Sequence, residues 1–250
     1  NNVKLYFTWY SNDKSHYPCN EAIYKLGGVS LFLPISFQGY CDSTLISKFD
    51  ISFSFSKFCA GIEKKTGGKI NYQVITGYPK DYASKFLKER ALEIRERLKS
   101  SGAKKIICVF DENSGKDERW HTGNNLQREN YKFVLEEVIK KNWLGVIFKP
   151  KSSATLEARL GEEVTNLLNQ AERSGRCYIY REIGRHTTSA PPLLGALSSD
   201  VVIHAHLCSG TAAIESVLAG IPTILIDREG IPESLLYKRL PFGKVIFKNW

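Results

Sequence analysis

Ser198-Ser-Asp-Val-Val-Ile-His-Ala-His-Leu-Cys-Ser-Gly-Thr-Ala-Ala-Ile-Glu-Ser-Val-Leu-Ala-Gly-Ile-Pro-Thr-Ile-Leu-Ile-Asp227 reads as strand, tight turn, helix, turn and strand. Val201 to Ile203 is a β-branched run, the composition of a short buried strand. Ser209-Gly210-Thr211 is a small-residue turn that opens a helix from Ala212 to Ala219, stopped by Gly220 with Pro222 just beyond. Thr223 to Ile226 predicts the next buried strand. A helix that starts on Ser-Gly-Thr leaves backbone N–H groups and a positive dipole end facing outward, which suits a phosphate. Glu215, one turn in, is placed to accept hydrogen bonds from a neighbouring pair of sugar hydroxyls. Phosphate beside ribose points to a nucleotide. The same spacing also describes an ordinary βα crossover with a Ser/Thr cap.

Working outward, the alternation of strands and helices is regular from Lys104 onward. Strands are predicted at Lys105 to Phe110, Gly145 to Lys149 and Cys177 to Tyr180, and helices at Leu126 to Lys141, Thr155 to Ala171 and Pro191 to Leu197. Strands separated by helices imply a parallel, doubly wound Rossmann-type sheet, whose ligands sit at the carboxyl ends of the strands. A boundary is drawn at Gly77-Tyr-Pro79, between strand-like Ile70 to Ile75 and a charged helix from Asp81 to Leu98. The fold class is therefore α/β, with a Rossmann-type domain over 79–250. A partial N-terminal α/β domain over 1–78 has strand-like pieces at Val3 to Trp9, Val29 to Leu33 and Ile51 to Phe55.

The chain has 250 residues, 42% of them hydrophobic, and can bury a core. It contains no apolar run near the roughly 18 residues of a membrane span and no signal-peptide pattern. Its six cysteines are scattered without CxxC spacing, and Cys108 and Cys208, in or beside apolar strand segments, read as reduced core residues of a cytoplasmic protein. The net charge of +9 is dispersed among acids on helices such as Lys85-Phe-Leu-Lys-Glu-Arg90, mostly a solvated face. No nucleic-acid signature accompanies it. Phosphorylated small substrates and peripheral contact with an anionic inner membrane face remain as readings of the charge. There is no Met, at position 1 or elsewhere, so the ends are not read as natural termini.

Ser209-Gly-Thr-Ala-Ala-Ile-Glu215, followed by Gly220-Ile-Pro222, resembles the donor-nucleotide segment of GT-B glycosyltransferases, including lipid-A-disaccharide synthase. Phe49-Asp-Ile-Ser-Phe-Ser-Phe-Ser56 and Gly77-Tyr-Pro79 resemble the run from N-terminal domain to linker in those enzymes. A whole GT-B N-terminal domain is larger than 78 residues, which implies missing upstream strands. The resemblance puts the donor diphosphate at Ser209, Gly210 and Thr211 and the ribose at Glu215. It places Asp111-Glu-Asn-Ser-Gly115 facing the donor, with Asn113, Ser114 and Gly115 approaching phosphate because the two leading acids would repel it. Lys149 before Pro150 would offset phosphate charge; position 151 is Lys where several families carry His. Arg185 and His186, with Arg181, fall where such enzymes recognise the base. His206 is the better donor contact of the His204-Ala-His206 pair, which lacks a third ligand spaced for a metal. Asp227 and Glu229 would meet the donor sugar. The acceptor's general base would come from the N-terminal part, with Asp13, His16, Glu21 and Asp42 as unranked candidates in loop-like polar stretches.

The resemblance thus implies sugar transfer from a nucleotide-activated donor to a glycan or glycolipid acceptor in surface-polysaccharide assembly, with no cofactor, no metal and no nucleic-acid partner. A nucleotide-sugar 2-epimerase, a CDP-polyol phosphotransferase, and a non-catalytic nucleotide- or glycan-binding module are the alternatives.

Overall fold

The computed structural model describes residues 3–9, 15–37, 39, 41, 46–112, 114–116, 123–181, 190–207, 210–228, 230 and 234–250. Contacts divide the chain into two units, the first holding residues up to 80 with 210–211 and 234–236, the second most of 81–250.

The first unit contains β1 (Leu5–Thr8), α1 (His16–Lys25), β2 (Val29–Phe32), β3 (Lys48–Ser54), α2 (Lys57–Lys65) and β4 (Lys69–Ile75). The strands form one parallel sheet in the order β1-β2-β3-β4. Ser56 starts α2 by accepting a hydrogen bond on its side chain from the Cys59 amide (3.2 Å). One turn further along α2, Glu63 accepts from Ser52 (3.1 Å), Ser54 (3.0 Å) and Gln73 (3.0 Å). Burial raises its carboxyl pKa against those three donors.

The second unit begins with a 3-10 turn at Asp81–Ala83 and α3 (Ser84–Ser100). It continues through β5 (Lys105–Phe110), α4 (Asn124–Lys140), β6 (Leu144–Lys149), α5 (Leu156–Arg173), β7 (Cys177–Ile179), α6 (Pro192–Leu197) and β8 (Val201–His204). The last elements are α7 (Thr211–Leu218), β9 (Thr223–Ile226), a 3-10 turn at Leu235–Lys238 and β10 (Ile246–Phe247). All six strands are parallel, in the order β10-β9-β8-β5-β6-β7. Counted within the unit this is 3-2-1-4-5-6, the Rossmann order.

Hydrophobic clusters on both faces explain the double winding. Ile106, Cys108 and Phe110 alternate toward one face, where they pack with Ile94 and Leu98 of α3 and Leu193 and Leu194 of α6. Val109, Val146 and Phe148 point to the other, against Val134, Leu135 and Val138 of α4 and Leu160, Val164 and Leu168 of α5. Gly220, at φ 80°, ends α7 in a conformation that side chains with a Cβ rarely adopt.

The order places a switch point between β5 and β8, the two neighbours whose chains leave in opposite directions across the sheet. The loops after β5 and β8 emerge there. α5 contributes through a break: Gly161 adopts φ 74° and ψ 175°, which separates a first turn from the rest of the helix. The break releases the Arg159 carbonyl, which accepts instead from Arg128 Nε (2.9 Å).

Candidate site at the carboxyl ends of the second sheet

Asp111 is the first residue after β5, and it turns inward. Its carboxylate accepts from the Lys151 amide (2.5 Å) and the Tyr131 hydroxyl (3.0 Å), with Arg159 Nη2 at 3.6 Å. It does not face outward as an obstacle to a diphosphate. Burial pushes its pKa up, and the Arg159 guanidinium beside it works in the opposite direction.

Arg159 joins the loops that follow β5 and β6. Nη1 donates to Ser114 Oγ (3.2 Å) and the Glu112 carbonyl (3.4 Å), Nη2 to the Ser152 carbonyl (2.9 Å), and Nε to Thr155 Oγ1 (3.3 Å). Ser114 in turn donates to Asn124 Oδ1 at the start of α4 (2.7 Å), and Gly115 bridges to Gly123. Asp111 and Arg159 are each only 6% exposed, so two charged groups lie together below the surface of the switch point, whereas Lys149, equally buried, ends β6 on the sheet face that carries Cys108. Such groups are stable there only when paired and hydrogen-bonded.

Lys149 is buried, and its Nζ donates to the Pro150 carbonyl (2.9 Å). Lys151 is the exposed one, paired with Glu112 (2.6 Å). His206 follows β8, buried, and shares a hydrogen bond with Gln127 Oε1 of α4 (3.1 Å). Its amide lies 3.4 Å from His204 Nδ1. Among the described residues no third Cys, His, Asp or Glu completes a metal-binding group with them.

Gly210 and Thr211 belong to the first unit, where Thr211 Oγ1 accepts from the Phe37 amide (2.7 Å) and Gly210 lies so close to the Phe37 ring that an added Cβ would sit 2.9 Å from it. Glu215 is half-buried one turn into α7. Asp227 is buried after β9 and accepts from the Tyr237 hydroxyl. Arg181 is held by Glu172 through both guanidinium nitrogens (2.5 and 2.8 Å).

Two of the four base candidates are not in loops. His16 and Glu21 both lie on α1; His16 shares a hydrogen bond with Tyr6, and Glu21 pairs with Lys48. The loop-like reading failed because Pro18, a helix-tolerated residue only in the first turn, masked the helix signal of this short polar segment. Asp13, Asp42, Asn113, Arg185, His186, Ser209 and Glu229 lie outside the described residues.

No protein-family model matches the chain, and no curated protein matches it at a significant level. Among solved structures it is similar to the N-terminal domain of trehalose-6-phosphate phosphatase from Candida albicans, at 13% identity and a TM-score of 0.37, over 89% of this chain and 50% of that one. It is also similar to aspartate transcarbamoylase from Trypanosoma cruzi in complex with carbamoyl phosphate, at 12% identity and a TM-score of 0.28, over 98% and 73%. The chain spans about half the length of the first of these. Likenesses of this size bear on neither activity nor ligand.

Proposed function

We propose that this chain belongs to a GT-B-type glycosyltransferase that takes a sugar from a nucleotide-activated donor and passes it to a glycan or glycolipid acceptor. The observation that carries the reading is the placement of Lys149 and His206 at the carboxyl ends of β6 and β8, and of Ser114, held by Arg159, in the loop after β5, beside the switch point of a Rossmann-ordered sheet. Doubly wound sheets bind their ligands at that point, and hydroxyl and cationic groups suit phosphate oxygens. Glu215 on α7 would hold the ribose of the nucleoside phosphate that leaves as the anomeric carbon is attacked. Lys149 would offset phosphate charge, Arg159 would hold Ser114 in place, and Asp227 would meet the donor sugar.

The test is a thermal-shift screen of the whole chain against UDP, GDP, CDP, CMP and dTDP, alongside Glu215→Ala. A ligand that binds only the folded state stabilises it by about 2.7 kcal/mol at a hundredfold excess over Kd. The expected result is a rise with one nucleotide that the variant loses. No rise with any of the five, or an equal rise in the variant, would overturn the nucleotide site or the ribose assignment respectively.

A further inference from the structure

Away from the switch point, the carboxyl ends of β9 and β10 carry a cavity of about 540 Å³ lined by Asp227, Gly230, Tyr237, Phe242 and Lys248. That volume falls inside the roughly 300–1,000 Å³ of small-molecule sites. The two strands pair with Phe247 opposite Ile226, so Asp227 and Lys248 leave neighbouring strands at the same level. A hydrogen bond from the Asp227 amide to the Phe247 carbonyl (2.7 Å) fixes that register. The Tyr237 hydroxyl holds the Asp227 carboxylate at the floor. The rings of Tyr237 and Phe242 lie 6.5 Å apart at 44°. Phe242 is 60% exposed, an aromatic face presented to solvent.

These walls define the occupant. A purely apolar ligand would give the Asp227 carboxylate, already held by Tyr237, and the Lys248 ammonium no complementary group. A bare inorganic anion would leave the aromatic faces unused and meet Asp227 across the cavity. A hydroxylated ring with one anionic substituent satisfies three of these groups: its C–H face, carrying partial positive charge, stacks on the negative face of an aromatic ring, a hydroxyl donates to the carboxylate, and the anionic substituent meets the ammonium. We propose that this cavity binds an acidic sugar ring, stacked on Phe242, hydrogen-bonded to Asp227 and charge-paired with Lys248. The inference rests on the proposed function in one respect, that the donor's sugar lies against Asp227, and it narrows that donor to a sugar with a carboxylate or comparable anion.

Saturation-transfer NMR on the whole chain, without nucleotide, with methyl β-D-glucuronide and methyl β-D-glucoside tests it. The glucuronide is expected to bind roughly two- to fivefold more tightly than the glucoside, the span of an exposed ion pair. Lys248→Gln should bring it down to the glucoside's level, and Phe242→Ala should abolish both signals. Both side chains are exposed, so an unchanged melting temperature verifies that the variants fold. Equal binding of the two glycosides, or a glucuronide signal indifferent to Lys248→Gln, would overturn the acidic-sugar assignment. Neither glycoside binding while a nucleotide still raises the melting temperature would overturn this inference alone and leave the proposed function standing. Neither glycoside nor any nucleotide binding would overturn both.

Discussion

Replacing Arg159 with Met keeps most of the side-chain volume and removes the charge and its donors. In the structure those donors satisfy Ser114 Oγ, Thr155 Oγ1 and the carbonyls of Glu112 and Ser152, and the charge stands 3.6 Å from a carboxylate with 2% side-chain exposure. Removing one partner of a buried pair costs about 3–5 kcal/mol, because the other charge is left uncompensated. At about 2–4 °C per kcal/mol for a chain of this size, the melting temperature should fall by roughly 6–20 °C. The loss should also depend on pH. Burial raises the folded pKa of Asp111 above its unfolded value, so its contribution to stability is full below about pH 4, the ordinary aspartate range, and is lost as pH rises through the folded value. Without Arg159 the folded value climbs further, and the variant loses more on the alkaline side of that window. Urea unfolding of wild type and Arg159→Met at pH 4 and pH 7.5 measures both effects, with an unchanged slope showing that the midpoint shift is stability. A deficit under about 1 kcal/mol at pH 7.5, or the same deficit at both pH values, would refute the buried-pair account.

Gly161→Ala forces a Cβ onto φ 74°, and urea unfolding should show a loss of roughly 1–3 kcal/mol. Arg176→Met strands the carbonyls of Val138, Lys141 and Leu144, each 2.8 Å from Nη1, and should cost about 2–4 kcal/mol by the same measurement; a cost near zero would mean that water replaces the guanidinium. Lys149→Met should reduce the nucleotide-induced rise in melting temperature and Lys151→Met should leave it intact, since only Lys149 is buried at the strand ends. Equal losses in the two variants would point to the net charge of the chain instead.

Elements with strong local patterns were readable from the sequence. Lys105–Phe110 and Thr223–Ile226 have the expected bounds because apolar, β-branched runs between turn residues leave little freedom. The start of α5 shifts by one residue and its end by two, an ordinary fraying of helix ends. By contrast, β10 is two residues long and is defined by pairing with β9, which no local pattern encodes. The site divides along the same line. Ser114, Lys149, His206 and Asp227 are found at strand ends because strand ends were predictable. Arg159 was not legible: in Thr155-Leu-Glu-Ala-Arg-Leu160 it is one charge on an amphipathic helix, and its burial follows from the break at Gly161 and from Ser114, 45 residues away. Asp111 misled for a related reason. A carboxylate after a strand reads as solvated until the partners that bury it, Tyr131 and the Lys151 amide, are known.

The placement of β5 beside both β6 and β8 has a kinetic consequence. β5 to β7 meet through contacts close in sequence, whereas β8 returns to β5 only after the intervening chain has been ordered, as the bond from the Ile106 amide to the Asp200 carboxylate (2.8 Å, 94 residues apart) illustrates. Closing so distant a contact is an entropically opposed step of assembly. A ligand seated where the loops after β5 and β8 emerge would act as a clasp on that seam. Its occupancy should therefore slow amide hydrogen exchange at Ile203 more than at Ile147, while the amides of Val202 and Val146, which bond away from β5 to the Pro222 and Arg176 carbonyls, respond less.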